Sequence, residues 1–176
     1  ESEVTLMAVT KTVPPERVNK ALDAGVRLLG ENRVQECCEK YQSYHCTAEQ
    51  IHLIGHLQTN KIRSIIDKVS MIESVDSLHL AKELDEALKK RDMEMDILLQ
   101  VNIGMEPRKS GFAPEELLEA YKEIGDSCSQ LRLRGLMAIP PKEEGDRYFG
   151  KMEEFYQKLR DVSAPGKVPE ILSMGM

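Results

Sequence analysis

The segment LMAVTKTVPP, residues Leu6–Pro15, joins a short apolar run to one lysine and two prolines. Residues 4–10 are mostly apolar or β-branched, which predicts a strand buried on both faces, as the strands of a parallel sheet are. Pro14 and Pro15 suit the first turn of a helix, and Gly25 is placed for its carboxyl-terminal cap. The segment therefore predicts the first strand and helix of a chain of β/α units.

Strands and helices alternate along the rest of the sequence. Further strands are predicted at residues 26–30, 51–57, 71–75, 96–103 and 131–139 and from Ile171, each preceded by a helix with one apolar face. They recur at intervals of about 20 to 35 residues, the size of a βαβ unit. This regular alternation, with no GxGxxG motif after the first strand, favours a closed barrel over an open doubly wound sheet.

We therefore expect an α/β fold: a parallel (β/α)8 barrel of the TIM type, with seven strands visible and the eighth missing from this chain. The sequence opens almost directly into a strand and closes on an apolar, strand-like run at Ile171–Met176. Folds avoid leaving a buried strand without its next neighbour. Residues 1–176 are thus expected to form a single barrel domain that is incomplete at both ends.

The composition is that of an ordinary globular protein, with 41% hydrophobic and 31% charged residues. The net charge of −6 and the pI near 5.4 argue against a nucleic-acid partner, because phosphate binding uses clustered Lys and Arg. No apolar segment is long enough for a membrane helix and no signal peptide begins the sequence, so we expect a cytoplasmic protein without a membrane partner. The four cysteines include no CxxC pair, which favours reduced, structural thiols.

Lys11 stands at the carboxyl end of the first predicted strand, the edge where α/β folds place their chemistry. A lysine in that position can be partly desolvated. Desolvation favours the neutral amine, whose lone pair is needed for Schiff-base formation with an aldehyde. The alternative is a solvated loop lysine just past a strand, and the residues around Lys11 alone do not separate the two.

Polar residues also follow the other predicted strands. Collected from the carboxyl ends of strands two to seven, they are Glu31, Asn32, His56, Gln58, Asn60, Asp76, Asn102, Ser173 and Gly175. A barrel site is built from residues at several strand ends, so this set is a candidate site. His52 and His56 are four residues apart, but Gly55 lies between them and the segment has the pattern of a strand rather than a helix, so no metal site is predicted.

Five segments of the sequence together resemble a known family. They are LMAVTKTVPP at Leu6–Pro15, GENRVQE at Gly30–Glu36, HLIGHLQTNK at His52–Lys61, KSG at Lys109–Gly111 and SMGM at Ser173–Met176. In this order, they look like the successive signatures of the pyridoxal phosphate homeostasis protein family. The resemblance covers essentially the whole chain.

The resemblance implies a single-domain barrel, like the N-terminal domain of alanine racemase, that holds pyridoxal 5′-phosphate (PLP) as a Schiff base on Lys11. It also implies that Asn32 and His56 lie around the cofactor. Small-residue turns present backbone N–H groups to anions. The final turn would accordingly begin the phosphate cradle, with the residues Ser173, Gly175 and Met176.

Two functions follow from the resemblance. The first is a carrier that binds and buffers PLP in the cytoplasm, takes part in PLP homeostasis and has no robust catalysis of its own. Its recipients would be PLP-dependent apoenzymes, and its oligomeric state would be a monomer or weak dimer. The alternative is a PLP-dependent racemase or decarboxylase acting on a small amino acid.

The carrier is favoured because related racemases take a second acid/base tyrosine from another domain and the partner subunit, whereas the tyrosines of this chain fall on predicted helices or helix ends. A third function class, a cofactor-free interaction module, remains if Lys11 proves solvated and unreactive.

Overall fold

The computed structural model describes residues 4–141 and 145–175, in which strands and helices alternate. The strands are β1 Met7–Val9, β2 Leu28–Glu31, β3 Ile51–Leu53, β4 Met71–Val75, β5 Met95–Gln100, β6 Leu131–Ala138 and β7 Ile171–Met174. The helices are α1 Pro15–Asp23, α2 Val34–Lys40, α3 Ile62–Ile65, α4 Leu78–Lys89, α5 Leu117–Ser127 and α6 Gly145–Val162. Short 3₁₀ turns at Thr59–Lys61 and Pro114–Glu116 lead into α3 and α5.

Helix boundaries follow the capping residues of the sequence. Pro15 is the first residue of α1, and Gly25, with a φ of +104°, follows its last turn, as predicted. Glycine adopts a positive φ without steric cost, which lets the chain leave the helix there. Ser77 caps α4, because its hydroxyl accepts a hydrogen bond of 3.2 Å from the N–H of Leu80.

All seven strands form one parallel sheet in the order β1-β2-β3-β4-β5-β6-β7. Each inner strand therefore pairs with the strands before and after it in the chain; Val9 pairs with Gly30, and Gly30 with His52. A doubly wound sheet reverses its strand order at a switch point, whereas a barrel keeps the order of the chain. The α/β barrel-type fold predicted from the sequence is confirmed.

The sheet is strongly curled. The hydroxyl of Ser173 in β7 donates a hydrogen bond of 2.6 Å to the Glu73 carboxylate in β4. Three strand spacings separate these strands along the sheet, which would be about 14 Å if the sheet were flat. The hydrogen bond therefore spans the concave side, and the seven strands form the curved wall of a barrel lumen.

The main hydrophobic core lies between the convex face of the sheet and the helices. Ile97 and Leu99 of β5 are fully buried in it. Leu84 and Leu88, one helical turn apart on α4, are equally buried there. Burying one such side chain contributes about 1.5–3 kcal/mol, so this layer supplies most of the apolar stabilisation.

The concave face carries a much smaller apolar core. Met71, Leu98 and Met137 are buried together in the lumen, and Ile171 packs against them. Toward the carboxyl ends of the strands, the apolar layer gives way to the polar pair of β4 and β7 described above. The lumen is therefore apolar at mid-height and polar near its carboxyl rim.

The first strand is shorter and more exposed than the sequence predicts. The prediction covered residues 4–10, but β1 spans only Met7–Val9, and Leu6 and Val9 are 80% and 49% exposed. Within the described residues, β1 pairs only with β2 and is an edge strand. An edge strand lacks the neighbours that would bury it on both faces, so this part of the prediction is wrong.

The apolar residues of the helices belong to the core, as predicted. In α6, for example, Met152, Tyr156 and Leu159 are buried at helical spacing. Among the helices in the described part of the chain, none combines the length and the apolar composition that crossing a bilayer requires.

Gly135 is expected to be essential to the pairing of β6 with β7. Its φ is +153°, and a Cβ at this position would come within 1.9 Å of the backbone oxygen of Ile171. Gly135→Ala should therefore lower the free energy of unfolding by about 3 kcal/mol, because backbone must move to relieve the clash. Urea denaturation measures the change.

Gly150→Ala in α6 is the matched control, since a Cβ at Gly150 would meet no heavy atom within 4 Å. Alanine replaces glycine favourably inside a helix, so this variant should be more stable than the wild type by about 0.5–1 kcal/mol. Equal unfolding midpoints for the two variants would contradict the role of Gly135.

Candidate functional site

Parallel pairing brings the carboxyl ends of β1, β2 and β3 side by side. Val9 pairs with Gly30, and Lys11 and Asn32 each lie two residues further along. Neighbouring strands are about 4.8 Å apart, so Lys11 and Asn32 emerge next to each other. His56 follows β3, the next strand of the sheet. Three of the residues predicted from the sequence thus share one sector of the rim.

The Lys11 side chain is exposed, and no residue in the described ranges forms a hydrogen bond or ion pair with it. Of the two interpretations that the sequence leaves open, the structure therefore shows the solvated lysine rather than the partly desolvated one. The reason is that, in the described part of the chain, β1 lies at the edge of the sheet and Lys11 has a neighbouring strand on one side. An unpaired amine at this rim is accessible to an aldehyde that arrives from solvent.

The backbone around Lys11, in contrast, is firmly held. The Thr10 N–H donates to the Gly30 oxygen at 3.0 Å, and the buried Thr10 hydroxyl donates to Glu31 at 2.7 Å. Thr12 has a φ of +61°, an uncommon conformation for a β-branched residue that costs about 1–3 kcal/mol. Such strain persists only where the surrounding contacts impose it.

Glu31 does not line the open rim, although it belongs to the polar set predicted there. It is fully buried and accepts hydrogen bonds from Thr10 and, at 2.5 Å, from the Tyr44 hydroxyl. Its second oxygen, Oε2, has no hydrogen-bond partner in the described residues. Burial, together with the Glu31 carboxylate, raises the pKa of Tyr44, so the phenol keeps its proton and donates.

Asn32 packs against the loop that follows β3. A Cβ on Gly55 would lie 1.9 Å from the Asn32 backbone oxygen and 2.6 Å from its side-chain oxygen, so only glycine fits there. The Asn32 side chain is half-buried, and no hydrogen bond ties its amide to another residue that the structure describes. Its Nδ2 donors are therefore available to a ligand.

The ring of His56 is oriented by the next two strand ends. Its Nδ1 lies 2.8 Å from Asp76 Oδ2 and 3.3 Å from Ser110 Oγ. A carboxylate only accepts hydrogen bonds, so in the neutral ring Nδ1 carries the proton and Nε2 presents a lone pair. Both contacts use the same ring nitrogen, so the three side chains do not form a Ser–His–Asp triad. His56 can accept a hydrogen bond from a ligand through Nε2.

The side chain of Ser173 forms its hydrogen bond inside the lumen. Its hydroxyl donates to Glu73 Oε2, while Glu73 Oε1 lies 2.6 Å from His52 Nδ1. Glu73 is only 2% exposed, and two hydrogen-bonding partners offset the cost of burying its carboxylate. Sequence reasoning missed Glu73; the available signal was a single carboxylate inside an otherwise uncharged strand, MIESV.

The final turn lies partly outside the described residues. Gly175 is exposed, and a Cβ there would meet nothing within 4 Å. Met176 lies outside the described residues. Because the hydroxyl hydrogen of Ser173 is bonded to Glu73, an anion at this turn would be held by backbone N–H groups.

Other polar residues predicted at strand ends serve different purposes. Asn102 organises the loop after β5, since its side chain donates to the backbone oxygens of Glu106 and Lys109. Gln58 and Asn60 are exposed around the turn that leads into α3. Asn60 lines an outer groove of about 330 Å³ between α3 and α4, on the helix side of the sheet. The structure therefore places Asn60 away from the site, while the Asn102 amide is used by its own loop.

Within residues 4–141 and 145–175, no group of three or more His, Cys, Asp and Glu side chains is placed to hold a metal ion. The pairs His52–Glu73 and His56–Asp76 supply two ligands each, fewer than a zinc site uses. Burial raises the pKa of Cys37 to about 12, so this thiol stays protonated and is a poor ligand.

Comparison with known proteins shows the family. The family model described as "Alanine racemase, N-terminal domain" matches residues 1–176. The chain is 37% identical over 183 residues to the "Pyridoxal phosphate homeostasis protein" of Aquifex aeolicus, a match that covers 100% of this chain and 78% of the relative. The chain belongs to the pyridoxal phosphate homeostasis protein family. The family member from Escherichia coli strain K12 is 35% identical over 178 residues, covering 99% of this chain and 76% of the relative.

Solved structures of similar proteins have the same fold. PipY of Synechococcus elongatus, without PLP, matches with a TM-score of 0.86 at 32% identity, over 100% of this chain and 83% of that chain. The PipY structure with PLP bound gives a TM-score of 0.82 at the same identity and coverage. Alanine racemase of Clostridium difficile shares the fold at 20% identity, with a TM-score of 0.79 over 99% of this chain and 47% of that chain.

Asp76 is expected to set the tautomer of His56. In Asp76→Ala the Nδ1 proton loses its carboxylate acceptor, so the neutral ring should change from almost entirely the Nδ1–H form to a mixture of both tautomers. Nitrogen-15 chemical shifts of the ring measure the change. Ser110→Ala is the control, because its contact with the ring is the longer one and its loss should leave the tautomer unchanged. Identical ring shifts in Asp76→Ala and the wild type would disprove this proton position.

Proposed function

We propose that this chain binds pyridoxal 5′-phosphate through a Schiff base on Lys11 and takes part in intracellular PLP homeostasis as a carrier. The observation that carries the proposal is an exposed Lys11 amine, unpaired within the described residues, on a firmly held rim turn beside Asn32 and His56. Residues 1–176 act in it as one cofactor-binding unit, since all seven strands belong to one sheet. The name of the relatives and the PipY structure with PLP bound support the choice of ligand.

The rim residues fit the chemistry of this cofactor. Bound PLP supplies an aldehyde that a lysine amine captures with loss of one water, a polar ring and a phosphate. Lys11 is the free amine, the Asn32 amide offers hydrogen-bond donors, and His56 Nε2 offers an acceptor. A solvated loop lysine without function would not be expected to lie beside both the unused donor of Asn32 and the oriented acceptor of His56.

The phosphate end is assigned, in this proposal, to the final turn with Ser173, Gly175 and Met176. The donors there are backbone N–H groups, because the Ser173 hydroxyl is bonded to Glu73. The open space around Gly175 leaves room for an anion.

The carrier function is favoured over a racemase or decarboxylase because the positions of the tyrosines in the fold indicate structural roles. Tyr44 is buried, and Tyr121 and Tyr156 each donate to a backbone oxygen at 3.2 Å. Tyr41 begins a 3₁₀ turn, and Tyr148 lies in α6. None of these five phenols is attached to a strand end, where a second acid/base group would face the cofactor.

A carrier must also release what it binds. The exposed position of Lys11 supports exchange with solvent and with recipient proteins, which we propose are PLP-dependent apoenzymes in the cytoplasm. The carrier is proposed to act as a monomer or weak dimer.

Lys11→Ala is expected to abolish covalent capture of PLP. After incubation with PLP and reduction with borohydride, the wild type should carry the reduced adduct on the Lys11 peptide and the variant should carry none, as measured by peptide mass spectrometry. The free energy of unfolding should change by less than about 0.5 kcal/mol, because the side chain is exposed. Lys61→Ala is the matched control and should be labelled like the wild type.

Three other results would count against the proposal. An adduct on Lys61 in the wild type would overturn the assignment of Lys11. Turnover of a small amino acid, measured by racemisation and decarboxylation assays on the same sample, would favour the enzyme alternative. The absence of any adduct would leave a cofactor-free interaction module.

A further inference from the structure

We propose that Glu36 and Lys40 of α2 are positioning residues for Lys11, which clamp the backbone on both sides of the lysine and thereby direct its amine toward the cofactor. The inference rests on the proposed function, because it concerns attachment at Lys11. Both residues lie on a helix, away from the strand ends where the sequence predicts the site.

The ion pair reaches the backbone on either side of Lys11. Lys40 Nζ donates to the Thr10 carbonyl oxygen at 3.2 Å and also pairs with the Glu36 carboxylate. Glu36 Oε1 accepts a hydrogen bond of 2.5 Å from the Thr12 N–H. One ammonium and one carboxylate thus hold the residues immediately before and after the lysine.

Among the residues that the structure describes, only the main chain is placed to direct the lysine. The Lys11 side chain is exposed and forms no hydrogen bond or ion pair with the residues described, so its direction depends on the main chain. That main chain is strained at Thr12, where φ is +61°. Glu36 binds the N–H of this same residue and so holds a conformation that the chain would otherwise leave.

The two side chains of the pair are mostly shielded from solvent. The side chains of Lys40 and Glu36 are 12% and 19% exposed. The hydrogen bond from Lys40 lowers the pKa of the Glu36 carboxyl, so it is ionised at neutral pH. Hydrogen bonds to an ionised acceptor are stronger than neutral ones. On the same helix, Glu39 is exposed and accepts instead from Gln35, which makes it a natural control.

Glu36→Ala should slow reductive capture of PLP at Lys11 by about tenfold, because misplacement of a reacting group by 1 Å can cost up to about 100-fold in rate. The rate is followed as growth of the cyanoborohydride-reduced adduct on the Lys11 peptide. Glu36→Gln keeps an oxygen that can accept from the Thr12 N–H and should recover part of the rate. Glu39→Ala makes the same deletion on the exposed face and should match the wild type.

A second readout does not involve the cofactor. In the ligand-free protein, the Thr12 amide should exchange its hydrogen about tenfold faster in Glu36→Ala than in the wild type, as loss of one hydrogen bond predicts. Exchange in β4 and β5 should stay unchanged, because these strands lie away from the clamp. Lys40→Met should slow capture at Lys11 as well, since it removes the contact with Thr10.

The outcomes separate this inference from the proposed function. If the wild type forms no adduct at Lys11, the proposed function fails, and Thr12 exchange then decides whether the clamp exists. If the wild type is captured and Glu36→Ala is captured equally fast, the positioning role is refuted. If Glu36→Ala slows capture but also accelerates exchange throughout β4 and β5, the pair is merely structural and the inference fails.

Discussion

Parallel pairing of consecutive strands is the constraint on which the site depends. Because each strand pairs with the next one in the chain, all seven carboxyl ends reach the same rim of the sheet. Lys11 and Asn32, which are far apart in sequence, become neighbours through the register of two strands alone. The helices cover the convex face, so they leave the rim accessible to a ligand.

Two buried carboxylates form hydrogen bonds that link the strands below the rim. Glu31 joins the end of β1 to Tyr44, and Glu73 joins β3 to β7 through His52 and Ser173. A buried carboxylate is costly unless hydrogen bonds satisfy it, so each one requires its donors to stay in place. The exposed residues of the site therefore stand on positions that are fixed by buried polar contacts.

Much of the fold could be predicted from the sequence, because alternating strand and helix patterns are local and the strand order of a barrel follows the chain. Lys11, Asn32 and His56 share the rim, as the strand-end argument predicts. The exposure of β1 could not be predicted, since burial of an apolar run depends on how many strands flank it. The contacts of Glu36 and Glu73 also required the structure, because the sequence does not distinguish a glutamate that binds a backbone N–H from one that faces water.

The hydrogen bond between Ser173 and Glu73 joins residues 100 positions apart in the chain. Pairs of consecutive strands close short loops, whereas this contact carries a large loop-closure entropy and raises the contact order of the fold. The contact requires β7 to lie beside β6 and the sheet to be curled. It is thus specific to the curled native sheet, and a conformation without it lacks the bond that holds β7 to β4 across the lumen.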